Sequence, residues 1–178
     1  MKILLYICLS LATIIAILLI LALFVKKDYA IVREIVINRP KKEVFDYIKF
    51  LKNQNEWSTW TNIDPKMKST YSGIDGTVGF VYKYESDNKR VGKGSQEITK
   101  IIDGESIEWL FCCDGKPPTV CYWLTETISE NETKMIWKFT GKMNYPLNLM
   151  TIFFDKLMGN DIGSELAVLK TKMENQTE

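Results

Sequence analysis

"SIEWLFCCDGKPPTVCYWLTETISENETKMIWKFTGKM", residues 106–143, decides the fold. Three runs rich in β-branched and aromatic residues, 106–113, 119–129 and 133–143, are separated by Asp-Gly-Lys-Pro-Pro and by Glu-Asn-Glu. Linkers this short join strands as hairpins, so the three runs predict an antiparallel meander. Side chains along a strand alternate between two faces. One parity is read as Ile107, Trp109 and Phe111, then Tyr122, Leu124, Glu126 and Ile128, then Met135, Trp137 and Phe139. The other holds Glu108, Thr125, Thr127, Lys138 and Thr140. A sheet with one apolar and one polar face needs a cover on the apolar side.

Upstream, "MKSTYS" (67–72), "TVGFVYKYES" (77–86) and "GKGSQEITKII" (92–102) add three strands, punctuated by "GIDG", "DNKR" and "DGE". Val78, Phe80, Tyr82 and Tyr84 extend the apolar parity. Before them, "YAIVREIVIN" (29–38) reads as a strand and "RPKKEVFDYIKFLKN" (39–53) as a helix with Val44, Tyr47, Ile48 and Leu51 on one face. "NQNEWSTWTNIDP" (53–65) follows as a short helix or turn carrying Trp57 and Trp60. Downstream, "YPLNLMTIFFDKLM" (145–158) and "NDIGSELAVLKTKMENQ" (160–176) are helical, with a stripe of Ile162, Leu166, Leu169 and Met173 and a kink or break expected at Gly159 and Gly163. A sheet curled round a long C-terminal helix buries both apolar surfaces.

"ILLYICLSLATIIAILLILALFV", residues 3–25, has no charge over 23 residues. At about 1.5 Å per residue it crosses a hydrocarbon core of about 30 Å. A cleaved signal peptide has a shorter apolar region and a small-residue cleavage site, which "LALFVKKD" lacks. The chain is therefore divided into an anchor, 1–27, and a domain, 28–178. Six basic residues between Lys26 and Lys42 weigh for a cytoplasmic domain. Basic residues inside a folded unit carry little topological weight, so sidedness stays open.

Composition excludes several chemistries. There is no histidine, which removes His-based triads, Cys-His dyads and His-ligated zinc. The net charge is +1, and without Lys2 the basic and acidic residues balance, so no field draws the chain onto a phosphate backbone. "GKGS" lacks phosphate-loop spacing and opens a strand. Nothing calls for a cofactor or metal. Parity on the hairpin makes Cys112 and Cys121 cross-strand neighbours, with three buried thiols the plainer reading of Cys112, Cys113 and Cys121.

"VREIVINRPKKEVFDYIKFLKNQNEWSTW", "VGKGSQEITKI", "TKMIWKFTGKM" and "GSELAVLKTKME", in that order, resemble the START/birch-pollen-allergen-like helix-grip superfamily (SRPBCC), in its polyketide cyclase/dehydrase-like branch. The likeness covers roughly residues 30–175. It implies an α+β fold, here an N-terminal transmembrane helix followed by a curved antiparallel sheet wrapped around a long C-terminal helix. It also implies a cavity between sheet and helix. Here that cavity would be lined by Phe80, Tyr82, Trp109, Phe111, Tyr122, Trp137 and Phe139 and faced by Phe153, Leu157 and Leu166, with Trp57 and Trp60 closing one end. Glu126 is the odd inward carboxylate, suited to anchor a ligand hydroxyl or to pair with Lys138 or Arg90; Gln96 and Tyr82 are further polar contacts.

Three functions compete. The first is a membrane-anchored domain binding a hydrophobic small molecule or lipid without catalysis, with no catalytic residue assigned. The second is a cyclase or dehydrase-like enzyme using Glu126 and Tyr82. The third is an interaction or stress-response module with a solid core.

Overall fold

The computed structural model describes residues 2–175. The first helix, α1 (Lys2–Phe24), is long and apolar enough to cross a membrane, and Ala22 is its one buried residue. Strand β1 (Asp28–Ile37) follows, then helix α2 (Lys41–Ile48). Val44, Phe45 and Ile48 are the buried side of α2. Two 3₁₀ turns, Leu51–Glu56 and Thr61–Ile63, carry the chain through the tryptophan stretch.

Six strands come next: β2 (Lys68–Ser72), β3 (Val81–Glu85), β4 (Lys93–Ile102), β5 (Ser106–Cys113), β6 (Thr119–Ser129) and β7 (Glu132–Lys142). All neighbours are antiparallel, in the order β1-β7-β6-β5-β4-β3-β2, so β1 returns to pair with the last strand. A 3₁₀ turn, Leu147–Met150, leads into α3 (Thr151–Asn175). Helix α3 runs along β1, tied by Arg33–Asp155, by Lys170 Nζ to the Val36 carbonyl and by Arg39 Nε to the Met173 carbonyl. The sheet grips this helix, and the core between them runs from Ile31 and Trp109 to Leu169 and Met173.

Three expectations are corrected. The C-terminal helix is continuous through Gly159 and Gly163. Gly159 is there for a close approach: a Cβ on it would lie 1.9 Å from the Arg33 guanidinium. Val78 lies in the turn before β3 and is exposed, because the strand begins only at Val81. The inward parity of β6 is Cys121, Trp123 and Thr125.

Both faces of β6 carry large side chains, so its own pattern is ambiguous; its partners decide. Cys121 pairs with Trp109 on one side and Phe139 on the other, and Trp123 pairs with Ile107 and Trp137. Tyr122 consequently points outward and half-buried, under the Lys138 ammonium 5.7 Å from its ring. Cys112 pairs with Ser95 on β4, while Cys121 shares its face with Cys113. All four cysteines are free thiols.

Candidate functional site: the open end of an aromatic grip

The inner face is densest at its centre. Trp57 lies 5.7 Å from Trp123 and 5.6 Å from Trp137, ring centre to ring centre. Trp109 touches both of those rings, at 5.4 and 6.4 Å. None of the four tryptophans keeps more than 2% of its surface exposed, so the centre of the grip is solid. Their four indole N–H groups are buried with no acceptor. Edge-to-face contacts at 81° and 84° bring the positive rim of one ring to the electron-rich face of another. Phe80 and Tyr82, both 1% exposed, close the same core on the β3 side.

Away from this centre the packing is looser. Trp60, Phe111, Phe154, Met158 and Tyr29 are only partly buried. The sheet register sets Tyr29 and Phe111 towards the same end of the sheet. Phe111 pairs with Thr119, and Tyr29 pairs with Gly141, one step beyond the Val120–Thr140 pair. Gly141 carries no side chain because the Tyr29 ring occupies that space: a Cβ there would sit 2.5 Å from the tyrosine hydroxyl. Gly94 makes the same room for Tyr84, at 2.2 Å. Two tyrosines thus lie flat over two glycines at one end of the inner face. Phe154 closes on Tyr29 edge-on at 4.9 Å, and Trp60 on Tyr84 at 4.7 Å.

This end also holds polar atoms. The Tyr29 and Thr119 hydroxyls are 3.2 Å apart, and the Tyr84 hydroxyl is 3.4 Å from Cys113 Sγ. Burial pushes the Tyr84 phenol well above its ordinary range, with Cys113 adding to the shift. It is therefore a neutral donor or acceptor and not a base. Burial likewise pushes the Cys121 thiol up, which removes it as a ready thiolate.

Glu165 on α3 is the buried carboxylate among the described residues. Its Oε1 accepts from the Ser58 hydroxyl at 2.9 Å, the Trp60 backbone N–H at 3.0 Å and the Thr59 hydroxyl at 3.2 Å. Burial raises its pKa, with the three donors pulling the other way. The carboxylate fastens the tryptophan turn to the long helix, and so sets Trp60 at the mouth and Trp57 in the core.

The sequence-predicted residues therefore separate into groups. Trp57, Phe80, Tyr82, Trp109, Trp137 and Phe139 lie on the inner face, as does the more open Phe111. Trp57 is central and only Trp60 stands at an end. Glu126 is on the outside, paired with Lys134 at 2.5 Å with its side chain 53% exposed. It follows Tyr122 in having the outward parity. Phe153 and Leu157 are 59% and 61% exposed. The helix turns Phe154 and Met158 inward instead, in step with Ile162 and Leu166. Counting back by fours from Ile162 finds both of them. Trp123, Tyr29, Thr119 and Glu165 were missed; Trp123 was hidden by the misread parity of β6.

No family model and no curated protein matches the chain. Solved structures do. Norcoclaurine synthase from Thalictrum flavum, determined with dopamine and hydroxybenzaldehyde, superposes with a TM-score of 0.64 over 85% of this chain and 89% of its own, at 7% identity. A protein from Nitrosospira multiformis gives 0.59 at 15% identity, over 83% of this chain and 97% of its own. The Aha1 dimer from Colwellia psychrerythraea gives 0.55 at 19%, over 84% and 98%. At these identities the likeness is one of fold, and it agrees with the strand order, the single gripped helix and the local stretches of the sequence. This chain has the helix-grip fold, a curved antiparallel sheet wrapped around one long C-terminal helix.

Proposed function

We propose that the chain is a membrane-anchored helix-grip domain that binds a hydrophobic small molecule or lipid, without catalysis, at the open end of the grip. One observation carries this reading. Partly buried side chains flank the solid centre, Phe154 against Tyr29 on the long helix and Trp60 of the tryptophan turn with Phe111 of β5 around Tyr84, beside two hydroxyl-bearing pairs, Tyr29–Thr119 and Tyr84–Cys113. An apolar concavity with a few convergent polar groups is the usual form of a small-molecule site. Burying about 300 Å² of apolar ligand at about 25 cal/mol/Å² yields about 7 kcal/mol before ordering costs. No charged contact is required. The solid tryptophan centre leaves the ligand only the partly buried residues around it.

The anchor fits this use. Tyr29 is five residues past the end of α1, so the mouth lies at the end of the domain nearest the span, where apolar ligands partition. The enzymatic alternative loses its acid/base pair, because Glu126 is outside and Tyr82 is buried beneath Tyr71. Native mass spectrometry of the full chain released from nanodiscs, with organic extraction, tests the proposal. A stoichiometric apolar molecule is expected. An empty protein that is also silent to a lipid panel would favour an interaction module with a filled core.

A further inference from the structure

The turn that precedes α3 is fastened to the end of α1. The Asn148 side-chain amide donates to the carbonyls of Ala22 at 2.7 Å and Val25 at 2.8 Å, and Asn148 itself is fully buried. A helix leaves its last carbonyls without partners, and here a residue 126 positions away supplies the donor. Met143 N–H adds a bond to the Lys27 carbonyl and the Thr151 hydroxyl one to Lys26. The domain is thus held at a defined position against the end of α1.

Around this joint the surface is apolar. Leu147, Met150, Ile152, Phe153 and Leu157 are between 51% and 61% exposed. A soluble surface rarely gathers so many large apolar groups in eleven residues. None of them serves the core, since the inward side of α3 is made by Phe154, Met158 and Ile162. Exposed lysines lie on the same end: Lys26 and Lys27 at the exit of α1, Lys142 at the end of β7, and Lys156 on α3.

We infer that this ledge of Leu147, Met150, Ile152, Phe153 and Leu157 lies in the headgroup–acyl boundary of the bilayer that α1 crosses, with the flanking lysines against anionic headgroups. The inference rests on α1 being a membrane span. The reason is continuity. Lys26 and Lys27 mark where the span leaves the hydrocarbon, and Asn148 pins the ledge at that level. Thr151 bonds the Lys26 carbonyl, and Leu157 is six residues on, so the apolar run stays within about 9 Å of the joint along the helix at 1.5 Å per residue. The domain then has two membrane contacts, and Phe154, the neighbour of Phe153, holds the mouth of the grip beside the lipid surface.

The test uses the full chain in nanodiscs of phosphatidylcholine and phosphatidylglycerol, with and without bromine on the acyl chains, which quenches nearby indoles. Three variants each add one tryptophan: Ile14→Trp within α1, Phe153→Trp on the ledge, and Ile128→Trp at the opposite end of the sheet, where the native residue is 51% exposed. Each is compared with the unsubstituted protein, so the native tryptophans cancel. The expected result is loss of most of the added emission for Ile14→Trp and Phe153→Trp, and none for Ile128→Trp. Quenching at Ile14→Trp alone overturns the ledge while the anchor stands, including the case where Phe153→Trp is blue-shifted but unquenched because protein covers it. Quenching at neither overturns the anchor and the ledge with it.

Discussion

Replacing Glu165 tests whether one buried carboxylate holds the tryptophan turn to the long helix. In Glu165→Ala the Ser58 hydroxyl, 1% exposed, and the Trp60 backbone N–H lose their acceptor. A buried donor left unpaired costs about 1–3 kcal/mol. Thr59 is exposed and turns to water, and the serine hydroxyl can partly re-aim, so the loss is about 2–4 kcal/mol. Glu165→Gln keeps an oxygen for all three donors and loses under about 1 kcal/mol. Urea unfolding of the full chain in detergent reads this directly, because all five tryptophans lie between residues 57 and 137 and none is in α1. With a slope of about 2 kcal/mol/M, the alanine midpoint falls by about 1–2 M.

The pH dependence gives an independent check. The folded carboxyl binds its proton more tightly than the unfolded one. Its contribution is therefore complete below the ordinary glutamate value of about 4.3 and declines as pH rises through the folded value. Against wild type, Glu165→Gln should gain in relative stability as pH is raised from about 4 to neutrality. Equal losses for alanine and glutamine, or a flat difference across pH, would refute the latch.

Four further outcomes are expected. Trp57→Ala removes the ring between Trp123 and Trp137 and costs about 3–5 kcal/mol by the same unfolding assay. Gly94→Ala costs about 3 kcal/mol or more, beyond the ordinary range of overpacking, since its Cβ would meet the Tyr84 hydroxyl at 2.2 Å and the Cys112 carbonyl oxygen at 2.3 Å; a thermal scan shows it. Glu126→Gln leaves both the unfolding midpoint and ligand retention unchanged, because its ion pair with Lys134 is on the outer face. Phe111→Asp lowers the amount of co-purifying apolar molecule at least about tenfold, equivalent to about 1.4 kcal/mol, measured by extraction and mass spectrometry.

Most of the fold was legible in the residues. Strands 106–113 and 119–129 were bounded to the residue because Gly, Pro and Asn punctuate a chain with little else in its turns. The gripped helix was legible from Ile162, Leu166, Leu169 and Met173. What failed was facing. Strand β6 has Tyr122 and Leu124 on one side and Cys121 and Trp123 on the other, so local alternation has no clear answer. Only its pairing with Trp109 and Trp137 sets the register.

That single slip moved Tyr122 and Glu126 inward on paper and hid Trp123. A one-residue error on α3 likewise chose Phe153 and Leu157 over Phe154 and Met158, because the run Leu149 to Phe154 is apolar at every position but Thr151 and blurs the helical stripe there. Phe153 and Leu157 take no part in the helix–sheet core, while Asn148 and Thr151 just before them bond to the end of α1 and the residues that follow it. The Glu165 latch could not be read from spacing, since Ser58 and Glu165 are 107 positions apart.

The most direct measurement of the central claim is photocrosslinking of the full chain in nanodiscs with a diazirine-bearing fatty acid, followed by peptide mapping. Crosslinks on the peptides carrying Trp60, Phe111, Phe154 or Met158, lost on competition with an unlabelled apolar ligand, are the predicted result. Crosslinks confined to α1 and the exposed ledge, with the mouth peptides unlabelled, would contradict ligand binding in the grip.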